Sequence, residues 1–243
     1  MAQFDGGYGA LLRIPFRRRA QARHIIGGNF AAFGAIEAAM LGFYGLPEAG
    51  DLIDVGCGAG RLTAALAQSF GGSYLGIDPV PTLLREARRV GKPGWRFERA
   101  NGWRIPAPDA SADMVCFFSV ITHLPHEVSY LYLEETRRVL RPGGRVVLSF
   151  LEHEFEPHEA IFAASVDGVR HARPGQTQNI FVSREALRMW ARRLDLVIVD
   201  VRDGNDRFVP LSSPVTLDDG NVMETWGCLG QSVAVLEKPA GAA

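Results

Sequence analysis

Three glycines spaced two residues apart, Gly56, Gly58 and Gly60, follow a short apolar run that ends at Val55. Glycine permits backbone angles that other residues avoid, and it lets a ligand lie directly on the main chain. A loop of this kind between a buried strand and a helix is typical of nucleotide-binding proteins. The spacing therefore predicts that this loop holds a small ligand through its backbone.

A carboxylate, Asp78, follows the next predicted strand in the run Leu75-Gly-Ile-Asp-Pro. A carboxylate at this distance from a glycine loop accepts hydrogen bonds from ribose hydroxyls in nucleotide-binding folds. Dinucleotide-binding proteins place the third glycine three residues after the second, and Arg61 holds that position here. The third glycine comes one residue earlier, at Gly60, which favours an adenosine ligand without a pyrophosphate.

Histidine and glutamate recur after a predicted strand, at His153, Glu154, His158 and Glu159. A helical two-histidine zinc site needs histidines four residues apart, whereas these two are five apart. The spacing therefore predicts no resident metal. A divalent ion that carboxylates hold against an acceptor stays open.

Short apolar runs alternate along the chain with stretches of helical spacing, which is typical of strand-helix units on a parallel sheet. The predicted strands are Leu52 to Val55, Tyr74 to Ile77, Trp95 to Glu98, Met114 to Phe118, Arg145 to Phe150, Leu196 to Val201 and Ser232 to Leu236. The predicted helices are about 17 to 44, Arg61 to Phe70, Thr82 to Val90, Val128 to Leu140 and Ser183 to Leu194. Turn residues such as Arg141-Pro142-Gly143-Gly144 separate each helix from the next strand.

Composition bounds the class of protein. The chain has 243 residues, 47% of them hydrophobic, with a formal net charge of −1, which predicts one globular domain. Near-neutral charge argues against a nucleic-acid partner. The sequence shows no run of the ~20 apolar residues that a membrane span needs and no secretion-signal pattern at its start, so a cytoplasmic location is expected. Cys57, Cys116 and Cys228 are widely spaced and are interpreted as reduced thiols.

These motifs resemble those of the class I S-adenosylmethionine (SAM)-dependent methyltransferase family, and specifically of its small-molecule branch. Asp-Val-Gly-Cys-Gly-Ala-Gly at 54–60 resembles the family's first motif, and Gly-Ile-Asp-Pro at 76–79 its second. Residues 105–124 resemble the approach to its fourth strand and the exit from it. Leu140-Arg-Pro-Gly-Gly-Arg-Val-Val-Leu resembles the turn into its fifth strand, and the run from Leu229 its last strand.

The resemblance implies a doubly wound, Rossmann-like α/β sheet of about seven strands, mostly parallel with an antiparallel last strand and helices on both faces. The single domain would comprise an N-terminal lid and helix at 1–45, a SAM-binding core at 50–151, a lid-like insertion at 152–180 and the C-terminal helix and last strands at 181–243. Irregular insertions after a strand often cover a binding site, so 152–180 is expected to select the acceptor.

The resemblance also implies SAM as cofactor, with S-adenosylhomocysteine as its product. Asp54 would face the ammonium group of the methionine part, Gly56 and Gly58 would pass beneath the ligand, and Asp78 would hold the ribose. The predicted cofactor-binding residues are Asp54, Gly56, Cys57, Gly58, Gly60, Asp78, Pro79, Asn101, Gly102, Trp103 and Ser119.

One departure from the family concerns the adenine. Many relatives carry an acidic residue after the third strand, where this chain has Asn101-Gly102-Trp103. The side-chain carbonyl of Asn101 offers an alternative acceptor, and Trp103 either flanks the adenine ring or packs in the loop. Tyr8 and His153 are the candidate acceptor-side residues, because amino-terminal segments of relatives fold over the cofactor and His153 follows the fifth strand.

His123 is the candidate catalytic residue, because the resemblance places the methyl group just past the fourth strand. Methyl transfer from a sulfonium depends mainly on holding the acceptor close and in line, and a base helps only when the acceptor loses a proton. The ordinary pKa of histidine suits that task near neutral pH. Alternatively, His123 shapes the pocket wall or caps the following helix.

The favoured function is therefore methyl transfer from SAM to a small-molecule acceptor, with a hydroxyl oxygen of a sugar or natural product as the preferred target. One alternative is a SAM-binding sensor or partner subunit without catalysis. A nicotinamide-dependent oxidoreductase is disfavoured by Arg61 in the glycine position. The sequence leaves the acceptor open, and a homodimer is one arrangement compatible with it.

Overall fold

A computed structural model describes residues 29–171 and 179–241 of the chain. Its helices are α1 (Phe30–Phe43), α2 (Arg61–Leu66), α3 (Pro81–Val90), α4 (His126–Val139), α5 (Glu159–Arg170) and α6 (Arg184–Arg193). Its strands are β1 (Asp51–Val55), β2 (Ser73–Asp78), β3 (Arg96–Arg99), β4 (Ala112–Phe117), β5 (Leu140–Phe150), β6 (Val197–Arg202), β7 (Val209–Pro210), β8 (Val215–Thr216), β9 (Val222–Met223), β10 (Trp226–Gly227) and β11 (Ser232–Glu237). Short 3₁₀ turns lie at Ile121–His123 and Glu156–His158.

Within the described residues, seven strands form one sheet in the order β3-β2-β1-β4-β5-β11-β6. The first five strands in this order are parallel to one another, whereas β11 lies antiparallel between β5 and β6. The chain order reverses between β1 and β4, and ligands of open α/β sheets bind where this reversal occurs. The predicted Rossmann-like fold with an antiparallel last strand is confirmed.

Alternate residues of the central strands supply two separate cores. In β1, Leu52 faces a core that includes α1, α2, α3 and the segment 208–229, while Ile53 faces the core formed with α4 and α6. Burial on both faces explains why these strands are almost continuously apolar. A polar side chain on such a strand, as at Asp54, must therefore find partners inside the protein.

Two stretches differ from the sequence prediction. The expected irregular insertion contains α5, a helix of 12 residues in which only Gly168 is buried. The expected turn Arg141-Pro142-Gly143-Gly144 belongs to β5 instead, because Gly143 donates to the carbonyl of Lys238 (2.7 Å) and Gly144 accepts from its amide (2.9 Å). The predicted helical residues 17–28 and the segment 172–178 lie outside the described residues.

A buried ion pair joins α1 to the first residue of α2. Arg61 donates through Nε to Glu37 (3.2 Å) and through its terminal nitrogen to the other carboxylate oxygen, and its guanidinium lies over the Phe33 ring. Burial raises the pKa of Glu37, and the charge of Arg61 opposes that shift. The pair directly links α1 to the start of α2, where the glycine loop ends.

Replacing Arg61 with Met should lower the free energy of unfolding by about 3 kcal/mol, because it leaves the Glu37 carboxylate buried without a partner. The double variant Glu37→Met/Arg61→Met should recover most of that loss, since no buried charge remains. Urea denaturation of the wild type, both single variants and the double variant measures the coupling. If the double variant loses as much free energy of unfolding as Arg61→Met does, an unpaired buried charge is not the cause of the loss.

Candidate functional site

The glycine loop between β1 and α2 turns through three left-handed residues, with φ of 78° at Gly56, 54° at Gly58 and 90° at Gly60. The amides of Gly56 and Cys57 both donate to the carbonyl of Ile77, at 2.7 and 3.1 Å. The loop is thus tied by its backbone to the end of β2. Its first turn is fixed independently of any ligand.

The protein itself requires two of these glycines. A Cβ at Gly56 would lie 2.3 Å from a methyl carbon of Val120, and one at Gly60 would lie 2.8 Å from the Cα of Ala87 in α3. Two causes therefore require glycine at Gly56 and Gly60. One is the positive φ, and the other is the close contact with Val120 after β4 and with Ala87 of α3. All three glycines are expected from sequence to contact a ligand, and packing is an additional cause at Gly56 and Gly60.

Asp78, at the end of β2, is hydrogen-bonded to the glycine loop. One carboxylate oxygen accepts from the Gly58 amide (3.0 Å) and the other from the Val80 amide (2.8 Å). Burial raises the pKa of Asp78 to about 6, and these two hydrogen bonds oppose the shift. Because each oxygen has a further lone pair, the carboxylate retains acceptor capacity for a diol such as ribose.

Asp54 is buried on the face of the sheet that packs against α1 and α2. Its carboxylate accepts from the Tyr74 hydroxyl (2.6 Å) and the Cys116 thiol (3.6 Å), and Tyr74 also bonds the Thr63 hydroxyl (2.8 Å). Burial raises the pKa of Asp54 to about 7. These partners give Asp54 a structural role beneath the loop, and its contact with a ligand ammonium stays a prediction.

The segment after β3 forms a tight turn in which Asn101 and Arg104 pair as an isolated antiparallel bridge. Gly102 lies in the turn at φ 69°, and its carbonyl accepts from the hydroxyl of Tyr132 in α4 (2.9 Å). Trp103 is 39% exposed, so packing in the core does not account for it. An exposed indole beside Asn101 is compatible with the predicted adenine contact.

Sequence reasoning missed Tyr132. Burial raises its pKa to about 12, and the next contribution is the negative charge of Asp78. Tyr132 therefore lies within electrostatic range of the predicted ribose carboxylate while it holds the predicted adenine turn. The available signal was its spacing on α4, which places Tyr132 on the buried face with Leu133 and Thr136.

Ser119 follows β4 in a left-handed conformation, with φ of 58°, which is uncommon for a residue with a side chain. Its amide donates to the Ser149 hydroxyl (2.8 Å), and Ser149 donates to the Gln231 side-chain carbonyl (2.7 Å). These bonds join the exits of β4 and β5 to the start of β11. Gln231 is distant in sequence, so no local pattern indicated its part in this arrangement.

His123 ends the 3₁₀ turn that follows Ser119, and it is half-buried. Its amide donates to the carbonyl of Val120 (3.0 Å). The structure thus brings His123, Ser119 and the glycine loop to the same edge of the sheet, because β1 and β4 are adjacent parallel strands. The proposed proton transfer by His123 stays a prediction.

The residues after β5 separate into exposed and buried groups. His153 is exposed and stacks on Phe181, whereas His158 is buried and its Nδ1 accepts from the amide of Glu152 (3.0 Å). No group of three or more metal-ligating side chains suited to a metal ion occurs in 29–171 and 179–241. Tyr8 lies outside the described residues.

Glu152 anchors this end of the molecule. It is fully buried and accepts two hydrogen bonds from Arg184 of α6, at 2.7 and 2.8 Å, with a further bond from Ser232. The backbone amide of Glu152 also donates to His158. Glu152 therefore connects the 3₁₀ turn before α5 to the start of β11. The segment predicted as a lid-like insertion, 152–180, is therefore joined to the sheet at its beginning.

Comparison with known proteins identifies the class of domain. Residues 52–144 match a family model described as a methyltransferase domain. An uncharacterised methyltransferase of Mycobacterium leprae is 36% identical over 129 residues, covering 50% of this chain and 46% of the relative. One from Mycobacterium bovis is 33% identical over 153 residues, covering 59% of each chain.

Solved structures share the fold. A SAM-dependent methyltransferase from Thermotoga maritima, described as a possible histamine N-methyltransferase, aligns with a TM-score of 0.63 at 18% identity, over 96% of this chain and 99% of that one. Magnesium protoporphyrin IX methyltransferase from Synechocystis, with bound SAH, aligns with a TM-score of 0.58 at 14% identity, over 93% and 89%.

Residues 52–144 are thus similar to the methyltransferase domain of class I SAM-dependent methyltransferases, and the cofactor is SAM. The described donor set fits that cofactor, since a buried carboxylate with spare lone pairs lies against a glycine loop at the carboxyl edge of the sheet. The chain spans about half the length of the curated relatives it matches. None of the helices in the described residues combines the length and the hydrophobicity that a membrane span requires.

Replacing Asp78 with Asn should weaken SAM binding by about 2 kcal/mol or more, which is roughly 30-fold, because it removes a charged acceptor from the ribose. The raised pKa also predicts pH dependence. As the pH falls through about 6, Asp78 gains a proton, and wild-type affinity should fall with it.

Calorimetric titration of SAM between pH 5 and 8 measures both effects. The Asp78→Asn protein should lack the fall in affinity near pH 6, whereas Asp195→Asn, at an exposed carboxylate just before β6, should retain it and serves as the matched control. Wild-type affinity that stays constant through this range would contradict the ribose role of Asp78.

Proposed function

We propose that the chain is an enzyme that transfers a methyl group from SAM to a hydroxyl oxygen of a small molecule, a sugar or a natural product. The observation that carries the proposal is the hydrogen bond between the Gly58 amide and Asp78, which holds both predicted cofactor contacts at one site. Ser119 and His123 follow the adjacent strand β4, where an acceptor would meet the methyl group.

The bound cofactor supplies a methyl group on a positively charged sulfur. That sulfur is a good leaving group because it departs as the neutral thioether of S-adenosylhomocysteine. The chain's own residues hold and align the two reactants, since an in-line displacement depends mainly on distance and angle. Asp78 and the glycine loop orient the cofactor end of the site. The Ser119, Ser149 and Gln231 network fixes the backbone beside the acceptor position.

His123 would accept the hydroxyl proton as the new bond between carbon and oxygen forms. Neutral imidazole suits this step because it takes a proton near neutral pH, and His123 is half-buried at the exit of β4. The base role is the specific part of the proposal that a substitution can test.

His123→Ala should lower kcat by about 100-fold with a hydroxyl acceptor, while the Kd for SAM changes little, because the residue acts on the acceptor proton. His123→Gln keeps a hydrogen-bonding side chain without a base and should be similarly slow. Label transfer from SAM measures turnover. Near-wild-type turnover in both variants would remove the base role and leave His123 as part of the pocket wall.

We also propose a cytoplasmic location and a small-molecule acceptor. Cys57, Cys116 and Cys228 are free and buried, which suits a reducing compartment. The formal net charge of −1 gives little attraction for nucleic-acid phosphates.

Two measurements test the proposed function itself. Calorimetry should show SAM and S-adenosylhomocysteine binding in preference to NAD, and preferential NAD binding would overturn it. Incubation with methyl-labelled SAM and a small-molecule extract of cells should place label in a low-mass product. SAM binding without any labelled product in that extract would favour a sensor without catalysis.

A further inference from the structure

Helix α5 exposes large apolar side chains on one face. Phe162 is 47% exposed, Val166 37% and Val169 67%, and their spacing of four and three residues places them along one side of the helix. Contiguous exposed apolar surface on a protein commonly marks a binding site. The face is therefore available for a ligand within the described structure.

Three rings meet at the start of this face, and we call His153, Phe162 and Phe181 the ring cluster. His153 and Phe181 stack with centroids 4.5 Å apart and planes 13° apart. Phe162 meets both edge-on, at 5.2 Å from His153 and 5.6 Å from Phe181. Such geometries are favourable for aromatic rings, so the ring cluster is a pre-formed surface for another planar ring.

Backbone bonds place the ring cluster beside the exit of β4. The Ile180 amide donates to the carbonyl of Thr122 (2.7 Å), the residue before His123, and the next residue is Phe181. Phe181 also pairs with Leu151 as an isolated parallel bridge. The ring cluster is thus joined to the same strand exits that carry the proposed methyl-transfer site.

Side-chain bonds hold α5 in this position. Asn179 donates to the Ser165 hydroxyl (2.9 Å), and Ser165 donates to the carbonyl of Ile161 (3.0 Å). The helix that carries Phe162 is therefore tied to the segment that carries Phe181. The three rings do not depend on mutual contact alone for their arrangement.

The exposed charges of the segment that carries His153 are negative, and the nearby Arg184 is paired with Glu152 and Asp203. The segment 151–159, which carries His153, has exposed carboxylates at Glu154, Glu156 and Glu159 and contains no lysine or arginine. Carboxylates disfavour an anionic ligand by like-charge repulsion and favour a neutral or cationic one. Ring surface and charge together select a chemical class of ligand.

We propose that the ring cluster binds the acceptor, and that the acceptor is an aromatic compound without an anionic group. The proposal rests on the proposed function, and it narrows the acceptor from sugars and natural products in general to neutral or cationic aromatic rings. Stacking on Phe162 or Phe181, with an edge-on contact to the other ring, would hold the acceptor near His123, and its hydroxyl would face the transfer site.

The test uses the protein saturated with S-adenosylhomocysteine and four probes: catechol, tyramine, 4-hydroxybenzoate and methyl glucoside. Ligand-observed saturation-transfer NMR should detect catechol and tyramine, with the anionic 4-hydroxybenzoate at least fivefold weaker than tyramine. Methyl glucoside should give no signal. The proposal is overturned if methyl glucoside binds as well as catechol does. It is also overturned if neither catechol nor tyramine binds.

Phe162→Ala should weaken catechol and tyramine at least fivefold, whereas Phe43→Ala should leave both unchanged. Phe43 is the matched control because it is also 47% exposed and lies on α1. Thermal unfolding checks that both variants are folded, and His153→Ala gives a second variant of the ring cluster. Equal effects of Phe162→Ala and Phe43→Ala overturn the proposal.

Two further outcomes separate the explanations. A wild-type dimer in sedimentation that Phe162→Ala converts to monomer would assign the apolar face to a second copy of the chain and overturn an acceptor site. Failure of the wild type to bind SAM would overturn the proposed function, whereas SAM binding combined with methyl glucoside preference would overturn only the aromatic acceptor.

Discussion

The hydrogen bond from the Gly58 amide to Asp78 is the contact on which the site depends. It joins the loop after β1 to the end of β2, and the Val80 amide holds the second carboxylate oxygen. Because the carboxylate is buried, its charge is costly unless polar groups satisfy it, and the raised pKa reflects that cost. A ribose diol offers the further donors that this carboxylate lacks. Three features surround this contact: the glycine loop, the exit of β4, and the turn whose Gly102 carbonyl accepts from the Tyr132 hydroxyl.

Much of this end of the molecule could be predicted from sequence, because it depends on local pattern. Apolar runs of strand length, glycines at fixed spacing and a carboxylate at the next strand end are all short-range signals. Contacts between distant residues were harder. Asp54 stays a predicted ligand contact, but its bonds to Tyr74 and Cys116 depend on the packing of α1 and α2 against the sheet, which no local pattern indicated.

The acceptor end was less predictable for a physical reason. Helix α5 buries only Gly168, so it lacks the strong alternation of buried and exposed positions that reveals a helix in sequence. What holds this region is a buried carboxylate, Glu152, bonded to Arg184 and Ser232 from remote parts of the chain. The Ser149 and Gln231 bond is likewise formed between separate strands. Glu37 was detectable in principle, since it is the one charged residue in the otherwise apolar helix Phe30–Phe43.

Amide hydrogen exchange with and without saturating SAM tests the central claim most directly, namely that the loop after β1, the end of β2 and the turn after β3 together form the cofactor site. The structure predicts slower exchange in 56–60, 78–80 and 101–104 when SAM is present, with no change in β7 and β10. Unchanged exchange in those three segments, or protection confined to 203–231, would contradict the account.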